Sequence, residues 1–155
     1  MDVPAHLADA VATVRAFAAA SGAERVVLLI DQGEDAPAAM LDADGDGAVQ
    51  INDAGQEFEV PADTPLGAPP RPLPALRQVP ATAVALDPDT GELEAPLGTI
   101  ANLGEAVLGL AAAFGGRSVA TAEFATRDPR LPITIAAREG EPLVLAAGNR
   151  RFVLP

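Results

Sequence analysis

The chain has 155 residues, 22 acidic side chains against ten basic ones, all of them Arg, and a net charge of -12. A chain of this length suits one domain and buries about 70% of its unfolded surface, while the absence of Cys excludes thiol catalysis, Cys-ligated zinc and disulfides. Nearly half of the residues are hydrophobic, yet there are only five Phe and no Trp or Tyr, so a core of small aliphatic side chains is expected.

Neither a targeting signal nor a membrane span is predicted. The N-terminus carries no basic segment followed by an apolar run, which favours cytoplasmic residence over secretion. The longest strongly apolar stretch within a predicted helix, residues 106–114, is well short of the ~20 residues that a membrane span needs.

The first part of the chain predicts a helix followed by short strands. Leu7, Val11, Val14 and Phe17 recur at the spacing of one buried helical stripe. The helix is expected to run to about residue 20 and to be ended by Ser21 and Gly22. The strands predicted after it cover residues 25–31, 38–41, 48–51 and 57–60.

A proline-rich stretch follows. Seven of the fifteen Pro fall in residues 61–80, and because Pro fixes φ and removes a backbone donor, residues 62–80 are predicted to be an extended connector. Beyond it, residues 83–86 and 92–95 flank a turn-forming sequence with Pro and Gly, which predicts a hairpin.

The last part of the chain repeats the helix-then-strands order. A helix is predicted from residue 99 or 102 to residue 114, with Glu105 as its only charge. A helix that is apolar nearly all round is expected to be covered on more than one side. The strands predicted after it cover residues 118–126, 131–135, 143–146 and 152–154.

The two helical parts look like copies of one unit. The helix sequence that starts at Leu7 matches the one that starts at Leu103, and each part ends on a strand with Phe in it and Pro after it, at residues 57–61 and 151–155. The predicted class is α+β, with two pseudo-repeated helix-plus-three-strand units, a pseudo-two-fold between them, and helices on one side of antiparallel sheet. We predict a single domain, residues 1–155. It is made of two repeats, residues 5–61 and 81–155.

Charge is divided unevenly between these units. Residues 1–61 carry twelve acidic side chains and two Arg, whereas residues 98–155 carry five acidic side chains and six Arg. One interpretation is an acidic surface that keeps the protein soluble. The other is a head-to-tail contact between copies of the chain, since complementary potentials set the orientation of association.

Several segments of the second unit resemble one family. Residues 91–94, 102–110, 121–124, 131–135 and 152–155 resemble the latter half of a bacterial DNA polymerase sliding-clamp domain, and residues 72–80 resemble the connector that precedes such a domain. Clamp domains are duplicated βαβββ units, so the resemblance implies a clamp-like duplicated fold.

The chain also departs from the clamp pattern. Clamps have two or three such domains per chain, so a ring of this chain would need several copies. Clamp helices line the DNA hole with basic residues, whereas the first predicted helix offers only His6 and Arg15 and the second offers none. Because phosphate contacts supply most non-specific affinity for DNA, strong DNA binding is not expected.

One acidic segment has the order of a calcium-binding loop. Asp42, Asp44 and Asp46 occupy positions 1, 3 and 5 of a twelve-residue stretch, with Gly47 at position 6 and Asp53 at position 12. This is the EF-hand order with Asp in place of the final Glu. The segment therefore predicts a calcium site at the four Asp, with an ordinary acidic hairpin tip as the alternative.

No catalytic group stands out in the sequence. The chain has one His, His6, and two Ser, Ser21 and Ser118, all near predicted helix ends, and it has no phosphate-binding Gly-Lys loop. We therefore expect a non-enzymatic binding or assembly module whose partner is another protein or a second copy of the chain. The main alternative is a calcium-binding domain. A small-ligand sensor or an enzyme of unknown type comes third.

Overall fold

The computed structural model describes residues 5–66, 85–86, 93–94, 97–115, 117–125, 132–147 and 150–154. One turn of 3-10 helix, Ala5–Leu7, leads into helix α1, and a second helix α2 lies after the middle of the chain: Ala8–Ser21 and Leu97–Ala113. Ten strands are described, β1 to β10 in chain order: Arg25–Ile30, Ala39–Asp44, Val49–Asp53, Gln56–Val60, Ala85–Leu86, Leu93–Glu94, Val119–Phe124, Ile133–Arg138, Leu143–Ala147 and Arg150–Leu154.

Eight of these strands form one antiparallel sheet in the order β10-β9-β8-β7-β1-β2-β3-β4. Two meanders, β1 to β4 and β7 to β10, are joined in the middle where β1 pairs with β7. Four strands follow each of the two long helices, as the individual strand predictions had it, whereas the predicted repeat unit counted only three. The bounds of β1 to β4 recur 94 residues later as the bounds of β7 to β10.

The predicted hairpin between the two meanders is confirmed. Strands β5 and β6 pair antiparallel as a separate two-stranded sheet, with Leu86 opposite Leu93. Residues 67–80 of the predicted connector lie outside the described residues. No helix in the described part of the chain is long and apolar enough to cross a membrane.

Helix α1 forms where the stripe was predicted. Leu7, Val11, Val14 and Phe17 are all buried, and α1 packs against β1 and β2. Gly22 ends the helix at a φ of 73°, and its N–H donates to the carbonyl of Ala18. A left-handed residue at this position costs least when it is Gly.

Helix α2 lies against the other meander. It packs on β7 and β8 and also touches α1, so the expectation that it is covered on more than one side is confirmed. Leu103, Val107 and Leu110 are buried. At Gly104 a Cβ atom would lie 2.6 Å from Cδ1 of Leu143, so a larger residue there would require the end of the Leu143 side chain to move.

The sheet therefore has one covered face and one open face. In the six strands between β4 and β10 of the eight-stranded sheet, alternate residues lie under the two helices, as Leu28, Leu41 and Ile135 do, and are mostly buried. The residues between them point away from the helices and are half-buried or exposed. An antiparallel sheet with one solvated face is the arrangement that this alternation predicts.

Arg15 fixes the far side of the first meander to α1. Its guanidinium donates from Nε to the carbonyl of Gly47 at 2.7 Å, and from its two terminal nitrogens to the carbonyls of Thr64 at 2.6 Å and Pro61 at 2.8 Å. Three carbonyl partners saturate most of this cation's donors, so Arg15 has a structural role.

Candidate interaction site

The tip of the β2–β3 hairpin is organised by Asp44. Its Oδ1 accepts hydrogen bonds from the backbone N–H groups of Asp46 at 2.9 Å, Gly47 at 3.0 Å and Ala48 at 3.2 Å. Gly47 has a φ of 103°, which an L side chain rarely adopts. The Asp and Gly that suggested a calcium loop are therefore the residues that this tight turn requires.

Asp42 faces Arg25 on the open face of the sheet. The Arg25 guanidinium donates from Nε to Oδ1 at 3.0 Å and from a terminal nitrogen to Oδ2 at 2.5 Å. The hydrogen bond to Asp42, followed by the Coulombic attraction of the same carboxylate, raises the pKa of Arg25. This bidentate pair ties β1 to β2 and leaves Asp42 bound to a cation of the chain itself.

Asp53 lies at the other end of β3. Its Oδ2 is 2.9 Å from Nε2 of His6, and its Oδ1 accepts a hydrogen bond of 3.0 Å from the side chain of Gln32. The main chain runs five residues from Ala48 to Asp53, which is about 17 Å at ~3.3 Å per residue. Asp53 thus holds the start of the helical segment to the sheet, far from the hairpin tip.

The structure does not bring the four predicted calcium ligands together. Asp42, Asp44 and Asp53 have three separate sets of partners, and Asp46 is exposed at the tip. An EF-hand loop joins two helices, whereas this loop joins two strands. Among the described residues, no group of three His, Cys, Asp or Glu is placed to hold a metal ion. Calcium binding stays a prediction that a calorimetric titration with calcium chloride would test.

The two serines are hydrogen-bonded to the backbone, and His6 is bonded to Asp53. Ser21 Oγ accepts from the N–H of Ala23, and Ser118 Oγ donates to the carbonyl of Phe114 and accepts from the N–H of Asp31. Both Ser are buried. The hydrogen-bond partner given for the His6 ring is Asp53 rather than a serine. The sequence expectation of a non-enzymatic protein stays a prediction.

The two outer strands of the sheet carry opposite charge. Strand β4 is paired only with β3 and β10 only with β9 among the described strands, so these two strands are the edges of the described sheet. Glu57 and Glu59 on β4 are exposed, as is Arg151 on β10, which follows Arg150 in the chain. Edge strands are ready templates for pairing with another chain, and these two edges differ in sign.

Comparison with known proteins adds no further assignment. No family model, curated protein or solved structure matches this chain. The candidate site therefore rests on the geometry of the sheet edges alone.

The sequence shows that the two units differ in charge, but it does not show which edge strands carry that charge. The sequence alone does not say which strands become edges, because that depends on the β1–β7 pairing between residues about 94 positions apart. The Arg25–Asp42 pair was missed for the same reason. It joins residues 17 positions apart whose contact exists only in the β1–β2 register.

Proposed function

We propose that this chain is a non-enzymatic assembly module that associates head to tail, with β4 of one copy pairing with β10 of the next. One observation carries the proposal, which is that the two outer strands of a single sheet bear opposite charge. The contact would continue an antiparallel sheet from copy to copy.

The strand directions favour this contact. Strands alternate in direction across an antiparallel sheet, and this sheet has eight strands. Because eight is an even number, β4 and β10 run in opposite directions. A neighbouring copy in a similar orientation therefore offers its β10 antiparallel to β4, so that every new strand pair has the same geometry as those inside the chain.

Charge selects this contact over the two symmetric ones. Pairing of β4 with another β4 would put Glu57 and Glu59 near their own copies, and pairing of β10 with β10 would do the same for Arg151. Like charges placed opposite each other in a sheet destabilise it, whereas opposite charges stabilise it. Edge charges that only prevented aggregation would need no difference in sign.

One register satisfies both faces of the sheet. Phe58 on β4 and Phe152 on β10 both pack against the helix-covered core, so placing them opposite each other joins two apolar groups. In that register Glu59 lies opposite Arg151 of the next copy, and Glu57 lies opposite Val153. Aromatic and opposite-charge pairs each contribute roughly 0.2–1 kcal/mol across strands.

The constant spacing of the strands supports a duplicated, clamp-like unit as part of this proposal. Helix α1 with β1 to β4 and helix α2 with β7 to β10 have the same order, and their strand bounds differ by 94 residues throughout. Val27 and Thr121 are 94 residues apart and pair with each other across the β1–β7 seam. A pseudo-two-fold axis through that pair relates one unit to the other, and it also relates the edge β4 to the edge β10.

DNA is not the partner that we propose. Of the charged side chains of the helices, Asp9 and Glu105 are exposed, while Arg15 is bound to three carbonyls. An acidic helical surface repels the phosphate backbone. The partner in this proposal is another copy of the chain.

Charge reversal at the two edges tests the proposal. We expect the wild-type protein to show a mass that rises with concentration in sedimentation velocity experiments at tens of micromolar. We expect Glu57→Arg with Glu59→Arg to remain monomeric, because both of its edges are then basic. Arg150→Glu with Arg151→Glu should also remain monomeric, because both edges are then acidic.

An equimolar mixture of these two variants is the matched control. Each variant then offers an edge that complements the other, so the mixture should regain the mass of the wild type at the same total concentration. Circular dichroism spectra must first match those of the wild type. A wild-type protein that stays at 15.7 kDa throughout, or variants that associate as well as the wild type does, would refute the head-to-tail contact.

A further inference from the structure

The seam between β1 and β7 joins large side chains to small ones. On the covered face of the sheet, Val26 lies opposite Ala122 and Leu28 lies opposite Ala120. None of these four residues has any exposed surface. On this face β1 therefore supplies the two large side chains of the seam, and β7 supplies the two small ones.

This size difference stands out between two units that otherwise match along the same rows. The strand bounds recur after 94 residues, so Val26 is equivalent to Ala120 and Leu28 is equivalent to Ala122. In the other strands of these two rows, equivalent residues have the same or a similar size. Such equivalent residues are Leu41 and Ile135, Ala43 and Ala137, Ile51 and Leu145, and Phe58 and Phe152. The two units thus differ in size at the strands where they meet.

A second copy of the chain offers each unit a wrong partner, because exchange of an equivalent element between copies is a low-cost route to dimers. A β1–β1 seam about the same two-fold axis would place Val26 opposite Leu28 twice. A β7–β7 seam would place Ala120 opposite Ala122 twice. The first pairing overfills the space between sheet and helices and the second leaves a cavity, and each change destabilises a core.

Two polar contacts at the seam also depend on unlike units. On the open face Arg25 lies opposite Glu123, and opposite charges across a strand pair stabilise it. Beyond the other end of β1, the N–H of Asp31 donates to Oγ of Ser118 at 3.3 Å. At the equivalent positions β1 has an apolar residue instead of Glu123, and Glu24 precedes it instead of Ser118. A β1–β1 seam would therefore lose the charge pair and bring a second carboxylate towards Asp31.

We propose that these differences make the seam a selective interface, at which β1 accepts β7 and rejects the β1 of another copy. Specificity of this kind arises when a wrong partner clashes with the surface or leaves it unfilled. Each chain consequently closes into one sheet whose two outer strands come from unlike units. The seam lies inside the chain, so this inference does not rest on the head-to-tail contact.

The covalent connection between the units favours the same pairing. Residues 61–96 link β4 to α2, and the effective concentration that a link provides is of order mM for short flexible linkers and lower for longer ones. Selection by size predicts more than this connection does. Two copies should exchange units when their seams fit only between copies.

Three full-length variants change the sizes at the seam. The small-seam variant is Val26→Ala with Leu28→Ala, and the large-seam variant is Ala120→Val with Ala122→Leu. The reversed-seam variant carries all four substitutions, so that large side chains again lie opposite small ones. In thermal unfolding followed by circular dichroism, we expect the reversed-seam variant to regain at least half of the melting temperature that its less stable parent loses, since residues in contact couple non-additively.

An equimolar mixture of the small-seam and large-seam variants tests the choice of partner. Both carry Arg150→Glu with Arg151→Glu, so that head-to-tail pairing does not contribute. After they refold together from guanidinium at tens of micromolar, we expect a heterodimer of twice the 15.7 kDa of one chain, with a melting temperature above that of either variant alone. A parent that does not fold alone still serves, because the mixture and the reversed-seam variant are expected to fold.

The matched control is Leu41→Ala with Val49→Ala, which removes the same atoms from buried positions of β2 and β3. Combined with the large-seam substitutions in one chain it should regain no melting temperature, and mixed with the large-seam variant it should form no heterodimer. Additive losses in the reversed-seam variant, or a mixture that stays at the mass of one chain, would overturn the proposal. Equal recovery with the control would also overturn it.

Discussion

Ala120→Asp should abolish the folded state of the whole chain, whereas Thr121→Asp should change the free energy of unfolding by less than about 1 kcal/mol. Ala120 has no exposed surface and pairs with Leu28 at the seam between β1 and β7. A buried carboxylate without a partner costs several kcal/mol, which is comparable with the total stability of a domain, about 5–15 kcal/mol.

The neighbouring residue is a strict control. Thr121 is half-buried on the open face, so an Asp there keeps its hydration, and surface substitutions ordinarily stay within about 0.5 kcal/mol. Guanidinium titration followed by far-UV circular dichroism measures both variants. If Ala120→Asp lost only half of the ellipticity, the two meanders would be independent domains, contrary to the shared sheet.

Phe17→Ala should lower the free energy of unfolding by about 3–5 kcal/mol, the range for removing a buried aromatic ring. Phe17 is fully buried and is one of only five Phe in the chain. Val14 and Leu41 belong to the same buried core as Phe17. A core built from short side chains has little means of filling the cavity.

Phe17→Leu is the matched control, because it keeps most of the buried volume and should cost much less. The chain has no Trp or Tyr, so circular dichroism rather than intrinsic fluorescence follows the unfolding. A loss below about 1 kcal/mol for Phe17→Ala would mean that α1 does not anchor the first meander.

Local elements could be predicted from the sequence because their signals are local. The stripe from Leu7 to Phe17 predicted α1, and runs such as residues 25–31 predicted strands that the structure confirms within a few residues. The mixed α+β class followed from these elements. The end of strand β2 at Asp44 was not predicted. Polar residues on the exposed face of a strand have the same composition as a turn, so the sequence does not distinguish them.

Long-range pairing could not be predicted in the same way. The β1–β7 seam joins Arg25 to Glu123 and Val27 to Thr121, and no short motif specifies which strands of two units will meet. The partners of the acidic hairpin depend on that same three-dimensional context. A linear order of Asp and Gly describes a calcium loop and a tight β-turn equally well until the register is known.

The most direct test of head-to-tail assembly is disulfide trapping of Glu57→Cys with Val153→Cys. The chain has no native Cys, and β4 and β10 lie at opposite ends of an eight-stranded sheet, about 34 Å apart at ~4.8 Å per strand. A disulfide needs Cα atoms within about 7 Å, so these two cysteines cannot bond within one copy. In the proposed register they lie opposite each other between copies.

On mild oxidation, the double variant should give a ladder of covalent oligomers on a non-reducing gel. Neither single variant should extend beyond a trace of dimer. A double variant whose bands are the same as those of the single variants would contradict head-to-tail pairing of β4 with β10.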